Sequence, residues 1–265
     1  MLGRKQSISN EQWLEAMANI KDTVAADEVK KFEKQAIADI RAKAKGKKVT
    51  YAYSGGKDSI VLSAICEKAS VTSCMMGVTN LEYPIFTAWV EENKPAQLEI
   101  INTGQDMAWL AQHQDMLFPN SKKAARWFSI VQHQAQTQYY KKHSLEMLIV
   151  GRRKADGNYV GKGNNTYTNG KGVTYFSPLA DWSHEMILAY IAYNNLPLPP
   201  IYGWVNGYKC GTHPWPARQH TQTATNAWHE INSIDPTLLE EAVKHSIVSA
   251  IEFMEGRDGN IKSKT

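Results

Sequence analysis

Short apolar runs alternate with longer amphipathic ones through the middle of this chain. Lys48–Tyr53, Val71–Val78, Leu98–Asn102 and Leu145–Val150 have the length and content of buried strands. Between them, Ile60–Cys66, Ile85 to about Asn93, Met107–Gln114 and about Lys122 to Lys142 read as helices, the last one long. Each strand ends in a turn signal: Ser54-Gly55-Gly56, Asn80 to Pro84, Thr103-Gly104 and Gly151-Arg152-Arg153. Strands alternating with helices predict an α/β fold, a parallel sheet covered by helices on both faces. Ligands of such sheets sit beyond the carboxyl ends of the strands. The glycine turn, Asn80, Thr103-Gly104 and Arg152-Arg153 should gather at that edge.

The flanks differ. Ser9 to Lys47 reads as one or two helices. Ser9–Gln12 suits a capping box; Trp13, Leu14, Met17 and Ile20 share a face; a second helix from about Asp27 carries Val29, Phe32, Ala36, Ile37 and Ile40. Residues 1–47 are read as a helical extension packed on the core, with a homodimer-forming arm as the alternative. Lys154–Gly172 holds five glycines and four asparagines and reads as a flexible loop or hairpin, with a lid over the site as its functional reading. Ser183-His184-Glu185 opens a further helix, which Asp181 is expected to cap, the alternative being a hydrogen bond near the ligand. Gly203–Gln219 is irregular. Residues 221–265 form a helical tail with a new start at Asp235-Pro236 and a frayed end from Gly256. The division is thus 1–47, 48–220 and 221–265.

Composition narrows the class. Among 265 residues, 43% are hydrophobic, enough for a sizeable core, and the formal charge of +4 suits an anionic ligand without demanding one. No apolar stretch approaches the length of a membrane span and no signal-like core follows Met1, so a cytoplasmic protein is expected. The three cysteines, Cys66, Cys74 and Cys210, form no C-x-x-C pair, so neither a disulfide framework nor a cysteine-rich metal site is suggested.

The chemistry concentrates at Ser54-Gly55-Gly56-Lys57-Asp58-Ser59. A strand ends there, two glycines turn the chain, and a helix begins. Its N-terminal N–H groups and dipole favour an anion; the serines add donors and Lys57 a cation. The Walker spacing is absent. This stretch resembles the PP-loop of the ATP pyrophosphatase (adenine nucleotide α-hydrolase-like) superfamily. Gly151-Arg152-Arg153, Ser177-Pro178-Leu179-Ala180-Asp181-Trp182-Ser183, Leu196-Pro197 and Pro200-Ile201-Tyr202 are similar to its branch of phosphoadenylyl-sulfate (PAPS) reductases, adenylyl-sulfate reductases and the ATP sulfurylase small subunit. The likeness covers about Val49 to Arg218.

The resemblance implies an adenine nucleotide as ligand, either ATP or a sulfonucleotide (PAPS or adenylyl sulfate), and attack at the α-phosphate of ATP with pyrophosphate leaving. Pyrophosphate is expected on Ser54, Gly55, Gly56 and Ser59. Lys57 would neutralise developing charge, and Asp58 would hold Mg²⁺ or serve only as a helix-terminal carboxylate. Gly151, Arg152 and Arg153 would meet an anionic acceptor or the far phosphate, with Arg152 counted beside Lys57 and Asp58 as catalytic, against a surface ion pair as the alternative for either arginine alone. His213, Trp215 and Arg218 would line an acceptor pocket, against a plain rigid loop as the alternative. The departures matter too. The reductase motif Glu-Cys-Gly-Leu-His is missing after Arg218. Arg126-Trp127 and Gly211-Thr212-His213-Pro214-Trp215 stand where cluster-bearing members have cysteine pairs, so no iron–sulfur cluster is expected. Thiol-dependent sulfonucleotide reduction would need Cys210 as nucleophile. A nucleic-acid modifying enzyme is the third reading. It draws on Lys122, Lys123, Arg126, Lys141, Lys142, Arg152, Arg153 and Lys154 as a basic face, with Trp127, Tyr139 and Tyr140 interleaved; a solvated face is favoured over it.

Overall fold

The computed structural model describes Leu2, residues 7–218 and residues 223–262, without the side chains of 121–122 and 257–262. The side chain of Lys122 in the basic face and residues 221–222 and 263–265 of the tail therefore lie outside what is described. The chain forms two compact units interleaved in sequence: Met1–Gly77 with Pro84–Ile101 and Ala135–Thr212, and Val78–Tyr83 with Asn102–Gln134 and His213–Thr265.

The first unit is built on a six-stranded sheet of order β3-β2-β1-β4-β6-β5. The strands are β1 (Val49–Ala52), β2 (Cys74–Val78), β3 (Leu98–Asn102), β4 (Met147–Ile149), β5 (Thr166–Thr168) and β6 (Thr174–Phe176). β1 pairs in parallel with β2 and with β4, in the register Val49↔Met147 and Tyr51↔Ile149, and β4 pairs in parallel with β6. β5 joins antiparallel at the edge. Thus half of the glycine-rich excursion is a hairpin of the sheet, the second of its two expected forms. β6 was not foreseen, because Tyr175-Phe176 is too short a run to stand out by pattern.

Helices cover both faces, and β1 shows why. Thr50 Oγ1 bonds Ser73 Oγ at 3.2 Å, and that oxygen bonds Tyr139 Oη at 2.8 Å on α8 (Gln134–His143). The next residue, Tyr51, points the other way and bonds Ser63 Oγ at 2.9 Å on α4 (Lys57–Lys68). This is the two-residue alternation of a strand buried on both sides. α8 packs with Met75, Leu148, Val150 and Tyr175 in one apolar cluster.

The helices α1 (Asn10–Ala18), α2 (Ile20–Thr23) and α3 (Ala26–Ala44) precede the sheet. The capping box at Ser9 and Gln12 forms as expected. α5 (Pro84–Asn93) follows β2, and α9 (His184–Asn194) follows β6. Ser183, not Asp181, caps α9 through Met186 N–H; Asp181 accepts from Lys154 and Asn165 instead. A four-residue helix, α10 (Gly207–Cys210), comes near the end of this unit.

The second unit holds α6 (Met107–Gln112), α7 (Ser121–Phe128), α11 (Ala224–Ile234), α12 (Pro236–Lys244) and α13 (Val248–Lys262). The long helix expected to Lys142 is interrupted by a π-helical turn at Ser129–His133 between α7 and α8. Tryptophans form this unit's core: Trp215 and Trp228 pack 5.8 Å apart, and Trp127 Nε1 donates to Met116 O at 2.8 Å. Asp235 caps α12 with Pro236 at its first position, as expected. α13 runs to Lys262, so the frayed end expected from Gly256 is helical there: the i→i−4 ladder carries a polar segment that has no apolar face to announce it.

Candidate functional site

Chain direction selects the place. From β1 the chain steps to β2 and β3 on one side, then returns to lay β4 on the other side of β1. Between β1 and β4 the strand order reverses, which opens a crevice beyond their carboxyl ends. The turn after β1 and the segment after β4 meet there. Gly151 lies so near the start of α4 that a Cβ on it would stand 3.2 Å from Asp58 O.

The turn is tight. Gly55 has φ +64°, a left-handed conformation that side chains disfavour, and a Cβ there would come within 2.8 Å of the Phe86 ring. Gly56 begins α4. The three atoms nearest to a Cβ on it would all be hydroxyl oxygens: Ser54 Oγ at 3.3 Å, Thr212 Oγ1 at 3.4 Å and Tyr202 Oη at 3.5 Å. Ser59 closes the loop, accepting from Ser54 N–H at 3.1 Å and donating to Gly56 O at 2.9 Å.

Behind the turn stands a buried ionic cluster. Asp58 Oδ2 accepts from Lys57 Nζ and Asp58 Oδ1 from Arg153 Nε, each at 2.7 Å. Arg153, fully buried, also pairs with Asp156 at 2.8 Å and donates to Trp182 O and His184 Nδ1, each at 3.1 Å. Two cations thus face two carboxylates, and the cluster is balanced. A guanidinium N–H aimed at Nδ1 requires a lone pair there, so His184 is neutral. Burial lowers its pKa, and the charges of Arg153 and Lys57 lower it further. Lys57 is buried as well, with its ammonium 6.0 Å from the Trp13 ring centroid on α1. The first helix of the N-terminal segment is therefore part of this support.

Arg152, one residue before Arg153, points elsewhere, as successive residues of an extended segment do. It donates to Tyr167 Oη at 2.6 Å and lies over the rings of Tyr167 and Tyr175. The structure therefore brings Arg153 to the turn's first helical residues and sends Arg152 to the β5–β6 hairpin. The hairpin segment is tied down at its start, where Lys154 and Asn165 share Asp181.

Asp58, expected to hold Mg²⁺ or to serve as a helix-terminal carboxylate, accepts from a cation on each of its oxygens, Lys57 on Oδ2 and Arg153 on Oδ1. All three cysteines are buried, and none is in a disulfide. His213, Trp215 and Arg218 fall in the second unit. His213 is exposed, Trp215 is core, and Arg218 is buried against Glu230 at 2.8 Å, with its guanidinium 5.9 Å from the Tyr83 ring. The basic face is divided among acids: Lys123 and Arg126 on Asp115, Lys142 on Glu99, Lys154 on Asp181. Trp127, Tyr139 and Tyr140 are buried and offer no stacking surface.

Tyr202, Asp156 and His184 are the site residues that sequence reasoning left without a role. Tyr202 stands in the Pro200-Ile201-Tyr202 motif, yet its contact with the turn spans 145 positions of sequence. Nothing in local spacing could announce it.

No curated protein sequence matches the chain. Among solved structures, PAPS reductase from Candida auris, in a phosphate complex, superposes with a TM-score of 0.52 at 16% identity, covering 68% of this chain and 92% of that one. NH3-dependent NAD synthetase from Campylobacter jejuni gives 0.44 at 16% identity, over 86% and 94%. NMN synthetase from Francisella tularensis gives 0.44 at 13% identity, over 81% and 95%. At these identities the first likeness supports the fold alone. No helix among the described residues is long and apolar enough to cross a membrane. The phosphoadenosine phosphosulfate reductase domain model matches residues 48–209, more than half of the chain, and the chain belongs to that family within the PP-loop, adenine nucleotide α-hydrolase-like superfamily.

Proposed function

We propose that the chain is an enzyme that binds ATP at Ser54–Ser59 and cleaves it between the α and β phosphates. An acceptor nucleophile attacks the α-phosphorus, the bond to the bridging oxygen breaks, and pyrophosphate leaves with the electron pair. The acceptor is left adenylylated. The observation that carries this is the Gly55–Gly56 turn: it lies at the β1–β4 reversal, at the N-terminus of a 12-residue helix, with hydroxyl oxygens as the three atoms nearest the place of a Gly56 side chain. N–H groups at the start of a helix neutralise a leaving pyrophosphate without rearranging.

Ser54, Gly55, Gly56 and Ser59 hold that group. Lys57, Asp58 and Arg153 fix the start of α4 from behind, and Arg152 with Gly151 borders the far side. A buried, balanced cluster keeps the turn rigid, which is what positional catalysis requires. The thiol-dependent alternative draws no support from Cys210, which is buried in α10.

The test compares ATP, adenylyl sulfate and PAPS side by side in thermal melts, with pyrophosphate release measured alongside. A ligand at a hundred times its Kd adds about 2.7 kcal/mol of stability. ATP should raise the midpoint and yield pyrophosphate once an acceptor is supplied. Stabilisation by a sulfonucleotide alone would refute ATP as the ligand.

A further inference from the structure

A count of hydroxyl protons at the turn separates one residue from the rest. Ser54 Oγ donates to Ser59 Oγ at 3.2 Å, Ser59 Oγ to Gly56 O at 2.9 Å, and Thr212 Oγ1 to Ser54 O at 2.8 Å. A hydroxyl has a single proton, so these three are committed. Tyr202 is different. Its oxygen accepts the Lys57 backbone N–H at 2.7 Å, and among the described residues its own proton has no acceptor. The side chain is buried at 5% exposure, and its oxygen lies 3.5 Å from where a Gly56 Cβ would be. Burial raises the phenol's pKa far above its ordinary value, so the proton stays in place at any working pH.

The ring is held from a distance. Tyr202 packs on Tyr208 with centroids 4.9 Å apart, and Tyr208 stacks flat on Trp13 of α1 at 5.0 Å. Asn10 completes the brace: its Nδ2 donates to Tyr202 O at 3.3 Å, and its Oδ1 accepts from Tyr208 N–H at 3.0 Å. A hydroxyl fixed this firmly, with its oxygen at a helix N-terminus and its proton uncommitted, is preorganised as a donor.

We propose that Tyr202 is a phosphate-binding residue of this site, its hydroxyl accepting the Lys57 N–H and donating its own proton to an anionic oxygen seated over Gly56. The two hydrogen bonds reinforce each other, because an oxygen that accepts becomes a better donor. The second bond is charge-assisted, hence the stronger kind. This inference rests on the reading of the turn as a phosphate cradle, and it adds a residue from outside the loop motif.

The experiment uses the whole chain with inorganic pyrophosphate, ATP and unphosphorylated adenosine as probes in titration calorimetry. Tyr202→Phe removes one oxygen. Pyrophosphate and ATP should bind about 10- to 100-fold more weakly, the range for a lost hydrogen bond to a charged group, while adenosine binds as before. A merely structural role would move all three probes together and would overturn the proposal. So would unchanged or tighter pyrophosphate binding, the latter meaning that the hydroxyl competes for the Lys57 N–H. Wild-type protein that binds neither pyrophosphate nor ATP would overturn the cradle reading as well, so the two failures are distinguishable. If Tyr202→Phe does not fold, replacement of Tyr202 by 3-fluorotyrosine keeps the hydroxyl and makes it a stronger donor. Pyrophosphate should then bind more tightly, and weaker binding would overturn the proposal.

Discussion

Replacing Arg153 by Met should reduce stability before it reduces anything else. The side chain is fully buried and makes four polar contacts: Asp58 at 2.7 Å, Asp156 at 2.8 Å, and Trp182 O and His184 Nδ1 at 3.1 Å each. Met fills most of the volume, so the cavity contribution is small. Removing one partner of a buried ion pair costs about 3–5 kcal/mol, because the charges left behind cannot be resolvated. Asp58 keeps Lys57, but Asp156 is left without a cation among the described residues, since the His184 Nδ1 that stands 3.9 Å away is neutral. The orphaned Trp182 carbonyl adds about 1 kcal/mol. In a chain of this size the sum corresponds to a fall in Tm on the order of 10 °C. Thermal and urea melts of Arg153→Met, Asp156→Asn and the double variant would measure it. The double variant should recover part of the loss, since it removes the stranded carboxylate. A variant that melts within a degree or two of wild type yet no longer binds nucleotide would refute this reasoning and make Arg153 a ligand clamp instead.

Two further predictions concern the turn and a buried acid. Gly55→Ala should destabilise by about 2–5 kcal/mol, from the left-handed backbone and from a Cβ 2.8 Å from Phe86, whereas Gly56→Ala should cost about 1 kcal/mol or less and remove pyrophosphate binding; urea midpoints and calorimetry read both. Glu82 is buried with one oxygen accepting from Thr79 N–H and Oγ1, and burial raises its pKa to about 7. Its folded pKa thus exceeds the unfolded value, so the neutral acid's contribution is complete at acid pH and lost as pH rises through about 7. Glu82→Gln should therefore stabilise the protein at pH 8 by up to about 3 kcal/mol and change little at pH 5, as chemical denaturation at the two pH values would show.

The alternating pattern of strand and helix was legible in the sequence, and so was the turn, because both are local. Periodicity sets which faces are buried, and Ser54-Gly55-Gly56 at the junction of a strand and a helix can only bend there. Leu98–Asn102 even has the bounds expected of it. The capping box at Ser9 and the restart at Asp235-Pro236 are local in the same sense, each satisfied within a few residues. What lies far apart in sequence was decided by tertiary structure. The two arginines after β4 look alike in sequence, yet backbone alternation buries Arg153 with Asp58 and turns Arg152 onto tyrosines. Lys57 reads as a free cation for phosphate until Asp58 and Trp13 are seen to enclose it. Asp181 looked like a helix cap only because Lys154 and Asn165 could not be known to reach it. Tyr202 met the turn only because the fold closed a separation of 145 residues. A charge or a hydroxyl takes its role from what shares its burial. That neighbourhood is fixed by packing between distant segments, which no local pattern encodes.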